Sequence, residues 1–230
     1  MGPNKFEEGQ VLLIDKPLGW TSFDAVRKIR NLVRTKKVGH AGTLDPLATG
    51  LLIICTGKFT KRINEFMAQE KEYTGTFTLG WTTPTYDLES EPTDPKDYSF
   101  LTPGILQETA ARFTGEQWQV PPAHSAIKIE GKRVYKLARQ GKEVRLEPRR
   151  VFIDAFEIKS INLPVVGFRV VCTTGTYIRS LAHDFGQALG CGAYLSRLCR
   201  TRIGEFQLKD ALSIDEFVKQ MQHQNQSLNG

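Results

Sequence analysis

The order of hydrophobic and polar positions along the chain predicts both strands and helices. The unbroken apolar runs Val11–Ile14 and Leu51–Cys55 are typical of short buried strands. Residues Tyr73–Leu79 alternate between threonine and larger or apolar residues, which is the two-residue period of a strand. Two more apolar runs, Val151–Ile161 and Val165–Cys172, are separated by three residues and predict a hairpin.

Helices are predicted where apolar residues recur every three or four positions. Thr21 and Ser22 are candidate N-caps of a helix whose apolar side carries Phe23, Val26, Ile29 and Val33. A second helix carries on one face Ile178, Leu181, Ala182, Phe185 and Leu189. Weaker patterns predict helices at residues 59–67, 105–113 and 133–139, a last hairpin at 193–207 and a helix from Ser213.

The remaining segments are predicted to be loops. Glycines interrupt residues 38–50, and Thr, Pro and Asp are frequent in residues 82–103. The 230 residues are enough to bury a sizeable core, and neither a repeat nor a linker divides them. We therefore expect one α+β domain covering residues 1–230.

Composition excludes several classes of protein. The four cysteines show no zinc-binding spacing and the four histidines are scattered, so we expect no metal. The apolar runs are too short to span a membrane, and the polar N-terminus is unlike a signal peptide. We expect a cytoplasmic protein.

The charge of the chain is unevenly distributed. Lys and Arg exceed Asp and Glu by 31 to 25, giving a net charge of +6. Residues 25–44 contain six bases and no acid, and residues 128–150 contain nine bases and three acids. Such segments suit contacts with RNA phosphates, although solvated helix and loop surfaces have the same composition.

Asp45 is the most informative candidate for a chemical role. It lies in the segment Gly39-His-Ala-Gly-Thr-Leu-Asp-Pro-Leu-Ala-Thr-Gly50, where the glycines permit tight turns and Pro46 disfavours a helical conformation of Asp45. An aspartate held in this way directs its carboxylate outward. On spacing alone, the favoured interpretation of Asp45 is an N-cap with Pro46 in the first turn.

This segment resembles, nearly residue for residue, the signature of the TruB family of tRNA pseudouridine synthases. The resemblance implies that Asp45 is the catalytic nucleophile and that His40 contacts the RNA near the flipped nucleotide. Lys16, in Asp15-Lys-Pro-Leu-Gly-Trp-Thr-Ser22, matches a second family block and is expected to bind substrate. Without the resemblance, that block indicates only a turn at the end of a strand.

Further blocks extend the resemblance from about Val11 to Phe206. Tyr73 matches the family's active-site tyrosine, although an aromatic residue on an alternating strand is commonly a core residue. Arg179, expected in the first turn of its helix and off the apolar face, matches the arginine that pairs with the catalytic aspartate. Leu198 matches a residue lining the uracil pocket. Thr83-x-Thr85-x-Asp87 matches another block, and His124 stands where the family usually has tyrosine.

The resemblance also implies an architecture and a reaction. The fold is expected to be α+β, with a mixed, mainly antiparallel central sheet flanked by helices and a thumb-like basic insertion at about residues 121–150. Lys128, Lys132 and Arg133 of this insertion are expected to contact the T-arm of tRNA. The implied reaction is the isomerisation of uridine 55 by base flipping, without cofactor or metal. We expect a monomer that needs no protein partner and lacks the family's C-terminal PUA domain.

Two other classes of function share part of this pattern. A non-catalytic RNA-binding or RNA-folding protein needs the basic segments, but it does not need Asp45, Tyr73 and Arg179 together. A metal-dependent nuclease needs several carboxylates around Mg²⁺, whereas basic residues flank Asp45 here. A pseudouridine synthase that acts on another RNA is the alternative within the family.

Overall fold

The computed structural model describes residues 4–123, 128–129, 132–133 and 146–227. The chain divides into two compact units, Met1–Tyr73 with Leu198–Gly230, and Thr74–Arg197. Both boundaries fall inside a strand, so no change of composition marks them.

The helices and strands have the following bounds. The α-helices are α1 (Lys5–Glu8), α2 (Ser22–Val33), α3 (Ile63–Ala68), α4 (Pro103–Ala111), α5 (Ile178–Leu189) and α6 (Ile214–Ser227). The strands up to the insertion are β1 (Val11–Lys16), β2 (Val38–His40), β3 (Ala48–Thr56), β4 (Lys71–Leu79), β5 (Gly115–Gln119), β6 (Lys128–Ile129) and β7 (Lys132–Arg133). The later strands are β8 (Arg149–Asn162), β9 (Val165–Cys172), β10 (Ala193–Ile203), β11 (Phe206–Gln207) and β12 (Leu212–Ser213). Short 3₁₀ helices occur at Gly57–Arg62 and Leu208–Asp210.

In the first unit the strands β12, β1, β3 and β10 lie side by side. The β1–β3 pair is antiparallel, whereas β1–β12 and β3–β10 are parallel. Strand β3 is buried on both faces: Leu52 and Ile54 pack with α2 and α6, while Leu51 and Ile53 pack in a second core with Phe66. Burial on both faces is the reason that this strand is an unbroken apolar run.

Helix α2 begins at Ser22, one residue earlier than an N-cap at Ser22 would place it. Thr21 is the N-cap and forms a capping box with Asp24, leaving Ser22 buried in the first turn. Each helical residue is rotated by about 100° from the one before, so burial of Ser22 turns Phe23 toward solvent. The prediction that Phe23 belongs to the apolar side was wrong, since its side chain is 58% exposed.

In the second unit β4, β9, β8 and β5 lie side by side. The β8–β9 hairpin and the β5–β8 pair are both antiparallel. An aromatic core fills this unit: Phe77 stacks on Phe168 with centroids 4.2 Å apart, and Phe185 of α5 meets Phe156 edge-on at 5.2 Å. Strands β4 and β10 contribute residues to both units.

The mixed, mainly antiparallel strand pairing confirms the predicted fold class. The hairpins at β8–β9 and β10–β11 and helix α5 were also predicted correctly. Strand β2 was missed, and residues 38–50 are therefore not wholly a loop, because β2 and the start of β3 occupy its ends. A helix was predicted at residues 133–139, but Arg133 belongs to strand β7 and residues 134–139 lie outside the described residues. None of the helices in the described part of the chain has the length and hydropathy of a membrane span.

Candidate active site

Asp45 begins a turn in the first unit. The backbone N–H of Ala48 donates to the carbonyl of Asp45 at 3.0 Å, and strand β3 starts at Ala48. The residues after Asp45 therefore form a turn and a strand, which rules out the interpretation of Asp45 as a helix N-cap. Its side chain is partly exposed, and a carboxylate on such a turn is accessible to a ligand.

The residues on both sides of Asp45 are tied to the start of α2. The Ser22 hydroxyl accepts from the backbone N–H of Leu44 at 2.9 Å and donates to its carbonyl at 3.2 Å. The backbone N–H of Gly19 donates to the carbonyl of Pro46 at 2.8 Å. The segment Lys16–Ser22, which matched a second family block, thus holds the turn that carries Asp45.

Lys16 is fully buried beside this turn. Its ammonium donates to the carbonyls of Trp20 at 2.6 Å and Pro17 at 3.0 Å. Burial lowers the pKa of Lys16 from 10.5 to about 8, and the nearby charge of Asp45 opposes that shift. Lys16 therefore supports the fold of the loop and attracts the carboxylate, while direct contact with the substrate stays a prediction.

His40 and Leu198 lie on two strands that pair with β3. His40 is opposite Ile54 in the β2–β3 pair, and Leu198 is opposite Ala48 in the β10–β3 pair. Burial, and then the charge of Arg200, lower the pKa of His40, so the imidazole is neutral at neutral pH. Leu198 is partly exposed next to the turn, as a residue lining a pocket must be.

Tyr73 lies on β4 and is largely buried, with 9% of its surface exposed. It lies on the inward side of the strand, as Phe77 and Leu79 do. Its assignment to the active site stays a prediction of the resemblance.

Arg200 is a residue of this region to which the sequence analysis gave no role. Its Nε donates to the carbonyl of Leu51 at 2.9 Å and its Nη2 to the carbonyl of Gly42 at 3.1 Å. The two-residue period of β10 could have pointed to Arg200 from the sequence, because it places Arg200 on the same side of the strand as Leu198.

In the second unit Arg179 is paired with Asp87. The guanidinium Nε and the carboxylate Oδ2 are 3.8 Å apart, and both side chains are buried. Arg179 was expected off the apolar face of its helix, and it is buried because the whole first turn of α5 is buried. Asp87 was recognised only as part of a family block, and the structure identifies it as a partner of Arg179.

The beginning of α5 is anchored to the end of β5. The side chain of Gln119 accepts from the backbone N–H of Tyr177 at 2.7 Å and donates to its carbonyl at 3.0 Å. The Ser180 hydroxyl donates to the carbonyl of Val120 at 2.7 Å. These bonds hold the backbone of the first turn of α5, which carries Arg179.

The two basic segments, residues 25–44 and 128–150, include most of helix α2 and the strands β6 and β7. On α2, Arg27 and Lys28 are exposed beside a surface groove of about 380 Å³ that Trp20 also lines. In the insertion, β6 and β7 form a two-stranded hairpin in which Lys128 is opposite Arg133. The side chains of Lys128, Lys132 and Arg133 lie outside the described residues, so their contacts with RNA stay a prediction.

Two family models together match most of this chain. The family model of the TruB pseudouridylate synthase N-terminal domain matches residues 30–178, and that of the tRNA pseudouridylate synthase B C-terminal domain matches residues 179–229. A tRNA pseudouridine synthase B of Flavobacterium johnsoniae is 52% identical, with 96% of this chain and 100% of the relative covered. One from Phocaeicola vulgatus is 50% identical over 95% of this chain and 96% of its own.

A solved structure shares the fold. A chain from a Cbf5–Nop10–Gar1 complex is 30% identical and superimposes with a TM-score of 0.74, covering 94% of this chain. The match spans 56% of that longer chain. The family models and the full-length relatives show that this chain belongs to the TruB family of pseudouridylate synthases.

Proposed function

We propose that this enzyme converts uridine 55 in the T-loop of tRNA to pseudouridine, with Asp45 as the nucleophile. The observation that carries the proposal is the Asp45 turn, in which a partly exposed carboxylate is held between backbone ties at Leu44 and Pro46. Relatives of about the same length and half identical in sequence are named tRNA pseudouridine synthases.

The reaction is an isomerisation within one nucleotide. The N1–C1′ bond breaks, the uracil rotates, a C5–C1′ bond forms, and the proton on C5 is lost as N1 regains one. Asp45 attacks C1′ or the uracil ring, or it assists deprotonation of the ribose, and each route uses the ionised carboxylate. Neither oxidation nor hydrolysis occurs, so the proposal includes no cofactor and no metal.

The other residues have supporting roles in this proposal. The family resemblance assigns to Arg179 the orientation of the catalytic carboxylate, because a guanidinium can hold a carboxylate through two parallel hydrogen bonds. Tyr73 packs on the base, while Leu198 and the neutral His40 shape the pocket. The base must leave its stack to enter the pocket, at a cost of a few kcal/mol that is smaller in a loop than in a duplex.

RNA binding in the proposal depends on positive charge outside the pocket. The exposed bases of α2 and the insertion with Lys128, Lys132 and Arg133 contact phosphates of the T-arm, which positions the RNA. Selectivity then comes from the shape of the loop and of the pocket. We propose that the enzyme acts as a monomer in the cytoplasm, without a protein partner.

Release of tritium from C5-labelled uridine tests this function directly. An unmodified tRNA transcript labelled in this way should lose one tritium per molecule in the presence of excess chelator. A transcript with cytidine at position 55 is the control and should lose none. Loss of activity in chelator would indicate a metal-dependent reaction, and equal release from the control transcript would show that the modified position is a different one.

A further inference from the structure

Arg200 bridges the two ends of the loop that carries Asp45. Arg200 is 1% exposed, and its guanidinium donates to the carbonyls of Gly42 and Leu51. Gly42 precedes Asp45 by three residues and Leu51 follows it by six. The Arg200 side chain therefore joins Leu51, in the strand that follows the loop, to Gly42 near the start of the loop.

The backbone around Arg200 is fixed by a close approach of two strands. Arg200 is opposite Gly50 in the parallel β10–β3 pair. A Cβ atom at Gly50 would lie 2.3 Å from the carbonyl oxygen of Arg200, and the φ angle of Gly50 is +103°. Only glycine fits this conformation and this distance. The close approach therefore fixes the backbone position from which the Arg200 side chain extends.

We propose that Arg200 is a positioning residue for the isomerisation, because it fixes the path of residues 42–51 and thereby the place of the Asp45 carboxylate. Ser22 and Gly19 hold the residues next to Asp45, whereas Arg200 closes the base of the loop. A planar guanidinium donates to two carbonyls in fixed directions, which an ammonium does not reproduce. The proposal depends on the function assigned to Asp45 above.

The variant Arg200→Lys tests this role, with Arg202→Lys as its matched control. Arg202 lies two residues along the same strand, but it is bound to Glu70 and to the carbonyl of Gly204. Misplacing a reacting group by about 1 Å can slow a reaction by about 100-fold. We expect Arg200→Lys to lower the single-turnover rate at least about tenfold with a Kd for tRNA within about twofold, and Arg202→Lys to change neither.

Amide hydrogen exchange supplies a readout that a general loss of stability does not reproduce. In Arg200→Lys the amides of Leu44 and Ala48 should exchange at least about tenfold faster, while those in the middle of β1 keep their rates. Unchanged exchange in the loop, or a rate loss shared equally by Arg202→Lys, contradicts the proposal. Hydrogen exchange does not depend on catalysis. The role of Arg200 in the loop can therefore be tested even if the proposed function is wrong.

A measurement on the unchanged protein covers the case in which Arg200→Lys does not fold. The Nε–H of Arg200 is buried and bonded to Leu51, so its NMR signal should exchange slowly with solvent. Exposed arginines such as Arg27 are the internal control, and their Nε–H groups should exchange fast. Equally fast exchange at Arg200 would overturn the proposed tie.

Discussion

The electrostatics around Asp45 depend on a buried lysine. Burial disfavours the charged form of Lys16 and lowers its pKa to about 8, while Asp45 favours the charged form. At neutral pH most of the lysine is protonated, and it attracts the carboxylate from inside the protein. Its donation to the carbonyls of Pro17 and Trp20 also shapes the turn that holds Pro46.

The variant Asp45→Asn should shift the titration of Lys16. Asp45 raises the pKa of Lys16, so its removal should bring that pKa below about 8. The ¹³C chemical shift of the Lys16 Cε atom, followed from pH 6 to 11, measures the change. Asp24 also raises the pKa of Lys16 but stands behind Asp45 in strength, and Asp24→Asn should give a smaller shift. If Asp45→Asn left the pKa of Lys16 unchanged, the charges of Lys16 and Asp45 would not interact as proposed.

Lys16 should also make stability depend on alkaline pH. Its pKa is lower in the folded protein than the 10.5 of an exposed lysine, so between about pH 8 and 10.5 the unfolded chain binds more protons. The free energy of unfolding attributable to this group therefore rises with pH across that window. Urea unfolding of the wild type and of Lys16→Met at several pH values measures the difference, which should increase from pH 8 to 10. A constant difference would contradict the lowered pKa.

Arg179→Lys should affect both turnover and stability. The shorter ammonium cannot keep the geometry of the buried pair with Asp87, and a buried polar group left without its partner costs about 1–3 kcal/mol. We expect the single-turnover rate to fall at least about tenfold and the melting temperature to drop. Arg169→Lys is the control, because Arg169 is paired with Glu157 near the surface, where such pairs contribute about 0–1 kcal/mol. Near-normal turnover by Arg179→Lys would contradict a role of Arg179 in the reaction.

At the scale of elements, the sequence predicted best where one period extends over a whole segment. Strand β4 and helix α5 are such cases, and their inward residues Phe77 and Phe185 meet in the core. Strand β5 was missed because Gly-Glu-Gln-Trp-Gln is polar and exposes Trp118, while its pairing with β8 is a long-range contact. Strand β2 has only three residues, all partly exposed, and exists because β3 offers it a partner.

The candidate site was predictable to a similar extent. Motif resemblance pointed to Asp45, His40, Leu198 and Lys16. These residues lie in the loop before β3 or on the three strands that pair with β3. The ties made by Ser22 and Arg200 were not predictable, since they join residues 22 and 158 positions apart. Such contacts leave no local period in the sequence.

Removing charge from the insertion should weaken RNA binding and reduce its salt dependence. The triple variant of Lys128, Lys132 and Arg133 to alanine should lower the slope of log K against log salt by about one unit for each phosphate that the variant no longer neutralises. The control removes three exposed charges of the first unit, at Lys58, Lys61 and Lys209, and should leave the slope nearly unchanged. Equal slopes in the two variants would show that the insertion does not face the RNA.

At the scale of the whole molecule, the proposal confines recognition to one arm of tRNA. A stem-loop with the sequence of the T-arm should then be modified almost as efficiently as intact tRNA. Measurement of kcat/KM for both substrates decides the point. A value more than about 100-fold lower for the stem-loop, equivalent to about 2.7 kcal/mol, would mean that contacts elsewhere on tRNA are required. A stem-loop with cytidine at the target position controls for modification at another uridine.

In the proposed mechanism the Asp45 carboxylate does the chemistry, and Asp45→Asn tests this role most directly. The amide keeps the size of the side chain, and the turn is formed by backbone atoms of Asp45 and Ala48, so the variant should fold. It should bind tRNA at least as tightly as the wild type, because a negative charge near phosphate is gone. Filter binding and tritium release on the same preparation should show retained binding and no pseudouridine above background. Substantial tritium release by folded Asp45→Asn would contradict the account.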